Sequence, residues 1–240
     1  MPWVNASMDD RGRVLVIIPA WNEEASIARV IREVRQQPEV SQVVVVDDGS
    51  VDATARVARD CGAEVLRLPY NLGVGGAMRL GYRYARERDF DVTIQVDADG
   101  QHDPAAIPAM LRALDSADIV IGARFAGTGD YPAHGPRRWA MKILASALSR
   151  ITHSPLTDVT SGFRACDREA IALFARRYPV EYLGDTVESL VMASRANLTV
   201  TQLPVSMRPR QGGTPSQHPI KASLYLLRAI FALLLALTRR

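Results

Sequence analysis

The 240-residue sequence holds only two cysteines, Cys61 and Cys166. They lack metal-ligand spacing and cannot form a disulfide framework, so both are expected as buried free thiols in helical segments of a protein from a reducing compartment. The polar N-terminus, residues 1–12, lacks the apolar core of a signal peptide. It is expected to be disordered and to leave the rest of the chain in the cytosol. Acidic residues are absent after Glu188, whereas Arg195, Arg208, Arg210, Lys221, Arg228, Arg239 and Arg240 all follow it. The formal net charge is only +3, so the C-terminal part should be a cationic surface suited to anionic lipid, a phosphorylated substrate or nucleic acid. No aromatic-plus-basic motif accompanies that charge, which makes nucleic acid the weakest of the three partners.

What is present is a repeated alternation of strand and helix. Residues 14–18 form a continuous apolar run with the composition of a buried parallel strand, ended by Pro19. Ile27, Val30, Ile31 and Val34 then recur at helical spacing. Residues 43–46 form a second buried strand, Asp52 is placed to cap a helix running to about Asp60, and Gly62 lies past its end. Strands at 63–67, 93–96 and 118–121 and a helix running from the glycine-rich stretch at 71–77 towards Arg88 extend the pattern. Residues 126–138, rich in Gly and Pro and containing Tyr131 and His134, read as a loop. A helix over 139–151 follows, with Trp139, Ile143, Ala147, Leu148 and Ile151 apolar, and then a polar turn at 158–164 leads into another helix. The implied fold is α/β: a Rossmann-like, mostly parallel central sheet flanked by helices, with ligand chemistry at the carboxyl ends of its strands. One domain, 13–218, is expected to divide into halves at 13–122 and 123–218, before a C-terminal amphipathic segment at 219–240.

The most informative stretch is Thr93 to Pro104, where an apolar strand runs into Asp97, Ala98 and Asp99. On extended backbone, residues i and i+2 face the same side, so both carboxylates can grip one hard cation. Gln101 can join them if the backbone stays extended through Gly100. Magnesium or manganese held by one or two carboxylates fills its remaining sites with water and substrate phosphate, which points to a phosphorylated ligand. The plainer reading is an Asp-rich turn, with Asp103 capping the next helix and Pro104 at its first position. The loop around Gly73 and Gly75 lacks the third glycine of a dinucleotide site, Met78 standing in its place. It is either a tight turn or a close backbone approach to a ligand, with Arg79 one turn in. His102, His134, His153 and His218 are scattered and read as surface or loop residues rather than ligands.

Pro19-Ala20-Trp21-Asn22-Glu23, Asp47-Asp48-Gly49-Ser50 and Asp97-Ala98-Asp99, in that order, resemble the sugar-nucleotide half of an inverting glycosyltransferase of the GT-A fold, family 2. Gly122-x-Arg124, Asp158-x-x-Ser161-Gly162-Phe163-Arg164 and Arg210-x-x-Gly213-x-x-Ser216 narrow the resemblance to the polyprenyl-phosphate sugar synthases, the dolichyl-phosphate mannose synthase-like enzymes, over about residues 13–220. The resemblance implies nucleotide-sugar binding by Pro19, Ala20, Trp21, Glu23, Asp47, Asp48, Gly75, Arg79, Asp97 and Ala98. It implies Mg2+ or Mn2+ on Asp97, Asp99 and Gln101, and phosphate binding by Arg124, Arg137 or Arg138, and Arg210 around the catalytic Asp99. Trp21 replaces the usual Tyr, Val74 stands where many relatives carry Lys, and Pro215 interrupts a small-residue pair near Ser216.

The implied reaction is a single in-line displacement in which an oxygen of polyprenyl phosphate attacks the anomeric carbon and the configuration inverts. The donor is expected to be a UDP-hexose or UDP-N-acetylhexosamine, with GDP-mannose as the alternative. A phosphate monoester is already anionic at pH 7 and needs orientation rather than a strong base. A hydroxyl acceptor, as in a soluble glycosyltransferase, would need a base from Asp158, Asp185 or Glu188, although Asp158 reads equally well as a turn cap. A nucleotidyltransferase and a non-enzymatic sugar-nucleotide adaptor are the remaining alternatives. The leucine-rich stretch at 222–237 is interrupted by Arg228 and falls short of the roughly 20 apolar residues of a membrane span. It is expected to lie in the membrane interface, making the enzyme peripheral on the inner face of the cell membrane, or else to pack on its own domain, in a homo-oligomer or on a separate membrane protein.

Overall fold

The computed structural model describes residues 12–124, 136–179 and 185–208, with the backbone alone for 136–140. The expectations for the N-terminus before Gly12, for the loop around Tyr131 and His134, for Arg210 and for the segment at 219–240 lie outside the described residues. So do those for the side chains of Arg137, Arg138 and Trp139.

Seven strands form one sheet: β1 (Val14–Ala20), β2 (Gln42–Asp47), β3 (Glu64–Arg67), β4 (Val92–Gln95), β5 (Ile119–Ala123), β6 (Arg164–Cys166) and β7 (Val200–Pro204). Their order is β3-β2-β1-β4-β6-β5-β7, and every pairing is parallel except those of β6, which runs antiparallel to β4 and β5. The helices are α1 (Ile27–Arg35), α2 (Thr54–Asp60), α3 (Val74–Glu87), α4 (Ile107–Ala113), α5 (Pro136–Thr152), α6 (Arg168–Arg177) and α7 (Asp185–Arg195).

Period-2 alternation along the strands splits the core into two layers. Leu15 and Ile17 of β1 face a cluster built with Met78, Tyr82, Leu148, Phe174 and Leu190, while Val14, Val16 and Ile18 face Ile27, Ile31, Val34, Ile107 and Met110. Helices α3, α5, α6 and α7 therefore cover one face, and α1, α2 and α4 the other. A strand buried on both faces has no polar side, which is why β1 and β2 read as unbroken apolar runs. Each fully buried Val or Ile contributes roughly 1.5–3 kcal/mol by leaving water.

Several local expectations are corrected. Pro19 does not end β1, because the strand continues to Ala20 and Pro19 pairs with Val46. Pro19 shares the strand parity of Ile17, whose carbonyl accepts from Val96 on the β4 side, and the β4 ladder stops at Ile17 and Gln95. The missing N–H of Pro19 thus falls where no ladder bond is needed. Ala53, not Asp52, occupies the cap position of α2, and Asp52 Oδ1 accepts from Thr54 N at 2.9 Å. Arg164 opens β6 rather than leading directly into a helix, which puts Cys166 in a buried strand, while Cys61 is half-buried at the end of α2. Among the described side chains of α5 the buried apolar residues are Leu144, Ala145 and Leu148, and Ile143 points outward at 56% exposure. Leu148 is buried and Ala147 and Ile151 pack against the core as expected, so Ile143 alone departs among the described side chains of that face.

Candidate active site

At the carboxyl ends of β1 and β2 two loops are laced together by side chain to backbone bonds. Asn22 N donates to Ser50 Oγ (2.9 Å), Glu23 N to Thr54 Oγ1 (2.8 Å), Val51 N to Asn22 Oδ1 (2.9 Å) and Ala53 N to Glu24 Oε2 (2.8 Å). Trp21 stands on this rim, half exposed. Asp47 is fully buried, and its Oδ1 accepts from Ser50 N at 3.0 Å. Its Oδ2 lies 3.1 Å from Arg67 Nε, but out of line for a hydrogen bond. Asp48 clasps the glycine-rich loop, accepting from Leu72 N (2.7 Å) and Gly73 N (2.8 Å), and burial raises its pKa despite those bonds. Gly49 is dictated by that close approach: at φ +73°, a Cβ would sit 2.7 Å from the Tyr70 carbonyl carbon. Beside it, Gly49, Ser50, Val51, Arg67, Leu68 and Pro69 line a shallow depression of about 480 Å³.

The acidic stretch after β4 is a turn, not a continued strand. β4 ends at Gln95, residues 98–99 turn, Gly100 has φ +75° and Asp99 Oδ1 accepts from Gln101 N at 3.0 Å. The extended backbone that would have aligned Gln101 with the two acids is therefore absent. Asp103 does cap the following turn, accepting from Ala105 N at 3.0 Å with Pro104 behind it. His102, expected at the surface, is 3% exposed and stacks on Phe163 with ring centroids 4.8 Å apart. Its Nδ1 accepts from Asp97 N at 3.0 Å, and Gln95 Nε2 donates to Asp97 Oδ1 at 3.2 Å.

Across the sheet, charged groups are held by one another. Arg124 grips the buried Asp158 through Nε to Oδ2 (2.7 Å) and Nη2 to Oδ1 (3.1 Å), and also donates to Thr160 Oγ1 (2.8 Å). Burial alone would raise the Asp158 pKa, but the Arg124 guanidinium outweighs it and holds the carboxyl below its ordinary range. Asp158 caps the turn that follows it, accepting from Thr160 N at 3.3 Å, as one reading of the sequence expected, and it is not a group suited to take a proton. Arg164 is fully buried and donates to Ser161 O, Val159 O, Thr186 O and Ser189 Oγ, which ties β6 to the start of α7. Next to that junction, burial pushes the Asp185 carboxyl up to about 6. Arg164 opposes the shift and the charge of Asp97 adds to it.

The fold thus gathers Pro19, Ala20, Trp21, Glu23, Asp47, Asp48, Asp97, Ala98, Asp99 and Arg124 along one edge of the sheet. Arg79 is not among them: it is exposed and reaches across to Arg176 O, at 3.3 Å, where α6 ends. Gly75 is buried in the first turn of α3, and the Glu23 carboxylate accepts from Ser26 Oγ at 2.8 Å. Sequence reasoning missed Arg67, Gln95 and His102. The signal for Gln95 was available, as a polar residue inside an otherwise apolar buried strand, whereas the signal for His102 was not, because its ring is buried by residues far along the chain.

Residues 15–174 match the family described as Glycosyl transferase family 2. Undecaprenyl-phosphate mannosyltransferase of Micrococcus luteus is 33% identical over 208 residues, covering 84% of this chain and 86% of that protein. UDP-N-acetylglucosamine–dolichyl-phosphate N-acetylglucosaminyltransferase of Methanococcus voltae is 27% identical over 215 residues, with 80% and 84% covered. Glucosyl-3-phosphoglycerate synthase from Mycobacterium tuberculosis, solved with Mn2+, UDP and phosphoglyceric acid, superposes with a TM-score of 0.71 at 21% identity, over 95% of this chain and 79% of that one. That likeness establishes the expected GT-A architecture, and the two relatives bear out the resemblance drawn from the motifs.

Proposed function

The chain belongs to glycosyl transferase family 2, and on that premise we propose that it transfers a sugar from a nucleotide sugar to polyprenyl phosphate, with inversion and with Mg2+ or Mn2+. The observation that carries this reading is the carboxylate pair Asp97 and Asp99 on the turn that follows β4, at the same end of the sheet as the laced loops after β1 and β2. The acceptor is taken from the relatives, one named for undecaprenyl phosphate and one for dolichyl phosphate.

Among the described residues no three His, Cys, Asp or Glu side chains converge as a complete metal cage. Two hard carboxylates fit an ion that keeps much of its shell for water and diphosphate oxygens. Asp97 and Asp99 would hold it, and when bound it would neutralise charge on the departing nucleoside diphosphate. The laced loops, with Trp21, Asp47 and Arg67, would seat the base and ribose. Arg124, pinned by Asp158, would orient phosphate together with Arg137 or Arg138 and Arg210, since guanidinium forks match phosphate oxygens. The lipid phosphate is its own nucleophile, and Asp158 is unsuited to take a proton. A UDP-hexose or UDP-N-acetylhexosamine is the first donor to test, and the mannose in one relative's name supports GDP-mannose as the second. Among the described residues no helix is long and apolar enough to cross a membrane. The reading places the enzyme on the inner membrane face through residues 219–240, with a separate membrane protein or a second copy of the chain as a further partner.

One observation favours a second reading, transfer to a hydroxyl. Asp185, buried, pushed up to about 6 and under the influence of Asp97, has the character of a general base. The test is organic-phase transfer of labelled sugar from UDP-glucose, UDP-N-acetylglucosamine and GDP-mannose, each with polyprenyl phosphate and Mg2+ or Mn2+, beside an EDTA control. A lipid product from one donor, lost with EDTA, is expected. Nucleoside diphosphate released only with a hydroxyl acceptor would favour the second reading.

A further inference from the structure

We infer that one rim of the domain, where the loops after β1, β2 and β3 meet the start of α3 and the end of α6, lies on a bilayer that carries anionic phospholipid. The inference rests on the reading above for its use, delivery of a lipid acceptor, and it gives the sheet domain a membrane contact of its own, separate from residues 219–240. Its first support is the distribution of exposed apolar side chains. Among the described residues the large ones are Trp21, Val51, Tyr70, Leu72 and Ile143, and all but Ile143 stand on the loops that follow β1, β2 and β3. Single exposed apolar residues scattered over a surface need no partner, but these are gathered at one end of three parallel strands. Trp and Tyr, with an apolar ring and a polar tip, also favour the boundary between water and lipid.

The second support is charge. Because β6 runs antiparallel to its neighbours, α6 starts at the opposite end of the sheet, where Asp167 N donates to Asp118 O just ahead of β5 (3.0 Å), and its last turn returns to the end where α3 begins. Arg79 of α3 accordingly reaches Arg176 O. Leu72 lies over the first turn of α3, since a Cβ on Gly76 would stand 2.6 Å from its own, and Arg79 is one turn further along that face. Tyr70, two residues before Leu72, is 65% exposed. Tyr70, Leu72, Arg79, Arg176 and Arg177 therefore form one band, apolar on one side and cationic on the other. The three arginines are exposed and make no ion pair among the described residues, whereas the acids of these helices stand at their far ends, Glu87 closing α3 and Glu169 in the first turn of α6. The acids of the neighbouring loops, Glu23, Glu24, Asp48 and Asp52, hold oxygens on hydroxyl or backbone N–H groups of those loops. A base in the last turn suits the helix dipole, but that preference does not bring in Arg79 from α3 or expose Tyr70 and Leu72 beside it. An anionic bilayer satisfies both sides of the band: the apolar side chains enter the headgroup boundary and the guanidinium forks meet lipid phosphates. The contact turns the end of the sheet that carries Asp97 and Asp99 towards the lipid.

The double variant Arg176→Gln, Arg177→Gln and the single variant Tyr70→Ser both keep residues 219–240, so they isolate this contact from any made by that segment. The full chain is cosedimented with vesicles of equal parts phosphatidylcholine and phosphatidylglycerol, and with vesicles of phosphatidylcholine alone. On the anionic vesicles the partition coefficient is expected to fall about 10-fold in the arginine variant, as loss of two cations near an anionic surface does, and about 3-fold in Tyr70→Ser. Urea midpoints should be unchanged. Sugar transfer to polyprenyl phosphate in detergent micelles should match wild type in the arginine variant, and transfer to the same acceptor in the anionic vesicles should fall. Equal partition of wild type and the folded arginine variant would overturn the inference. So would a wild-type chain that binds neither vesicle and uses these arginines for single-stranded DNA or a soluble protein. Transfer in detergent that persists in either case leaves the reading of the site intact. Absence of wild-type transfer in detergent would overturn that reading, while the partition difference still decides the lipid contact. Should the arginine variant not fold, Tyr70→Ser decides alone, and partition equal to that of wild type overturns the inference.

Discussion

Two sets of loops in this fold hold their polar groups by different means. The loops after β1, β2 and β3 are fixed by neighbours close in the fold: the backbone N–H groups of Asn22, Glu23, Ser50, Val51, Leu72 and Gly73 each meet a Ser, Thr, Asn or Asp oxygen. After β5 and around β6, position is set by buried charge. Arg124 is held by Asp158, Arg164 by four oxygens, and Asp185 stands beside them with its proton held into the mildly acidic range. A site laced by backbone bonds tolerates the loss of one side chain better than a site that rests on a buried pair, because an abandoned buried charge keeps its whole desolvation cost.

That contrast can be broken where each set of loops is most exposed to it. The largest effect is expected at the shared edge: Asp99→Ala should lower metal-dependent turnover by about 1,000-fold, as loss of a principal electrostatic stabiliser does, with the denaturant midpoint little changed. Steady-state transfer assays and urea melts check the two parts together. Next, Asp158→Ala should cost about 3–5 kcal/mol by urea unfolding, since it strands Arg124 against a buried site. A comparable substitution in the laced loops, Asn22→Ala, should cost only about 1 kcal/mol.

Asp185 gives the contrast a pH dependence. Its folded pKa of about 6 lies above the ordinary 3.8, so between those values the folded chain binds more protons than the unfolded one and stability falls as pH rises. The cost of ionising Asp185 is fully present above about pH 6 and reaches about 3 kcal/mol from a shift of this size. Asp185→Asn should therefore stabilise the fold at pH 7 and give no gain at pH 4, measured as Tm at both values. The Asp158 shift has the opposite sign: its contribution is present above the ordinary carboxyl range and is lost as pH falls below it. At the small end, Arg208 pairs with Glu33 and Asp103 at a partly exposed site, and Arg208→Ala should cost under about 1 kcal/mol by urea unfolding.

The same difference explains what could be read before the structure was known. Strands β1 and β2 announce themselves as apolar runs because both faces are buried, and the motifs at Asp47-Asp48 and Asp97-Ala98-Asp99 sit where those runs end. Their placement follows from local chemistry. β6 has three residues and takes its direction from pairing with β4 and β5, so nothing in its own composition marks it as a strand. The pairing of Arg124 with Asp158 spans 34 positions, and the burial of His102 depends on Phe163 and Met207, relations that spacing does not encode. The expectation of extended backbone through Gly100 failed because Asp99 folds back onto Gln101 N, a local competition between side chain and strand ladder that acidic residues often win.

Acceptor chemistry is the central claim, and one measurement addresses it directly: the mass of the organic-phase product formed from a nucleotide sugar when polyprenyl phosphate and the corresponding polyprenol are offered in equal amounts. The account predicts a single product whose mass is polyprenyl phosphate plus one sugar residue, with the polyprenol untouched. A glycosylated polyprenol, or sugar transfer confined to a soluble hydroxyl acceptor, would contradict it.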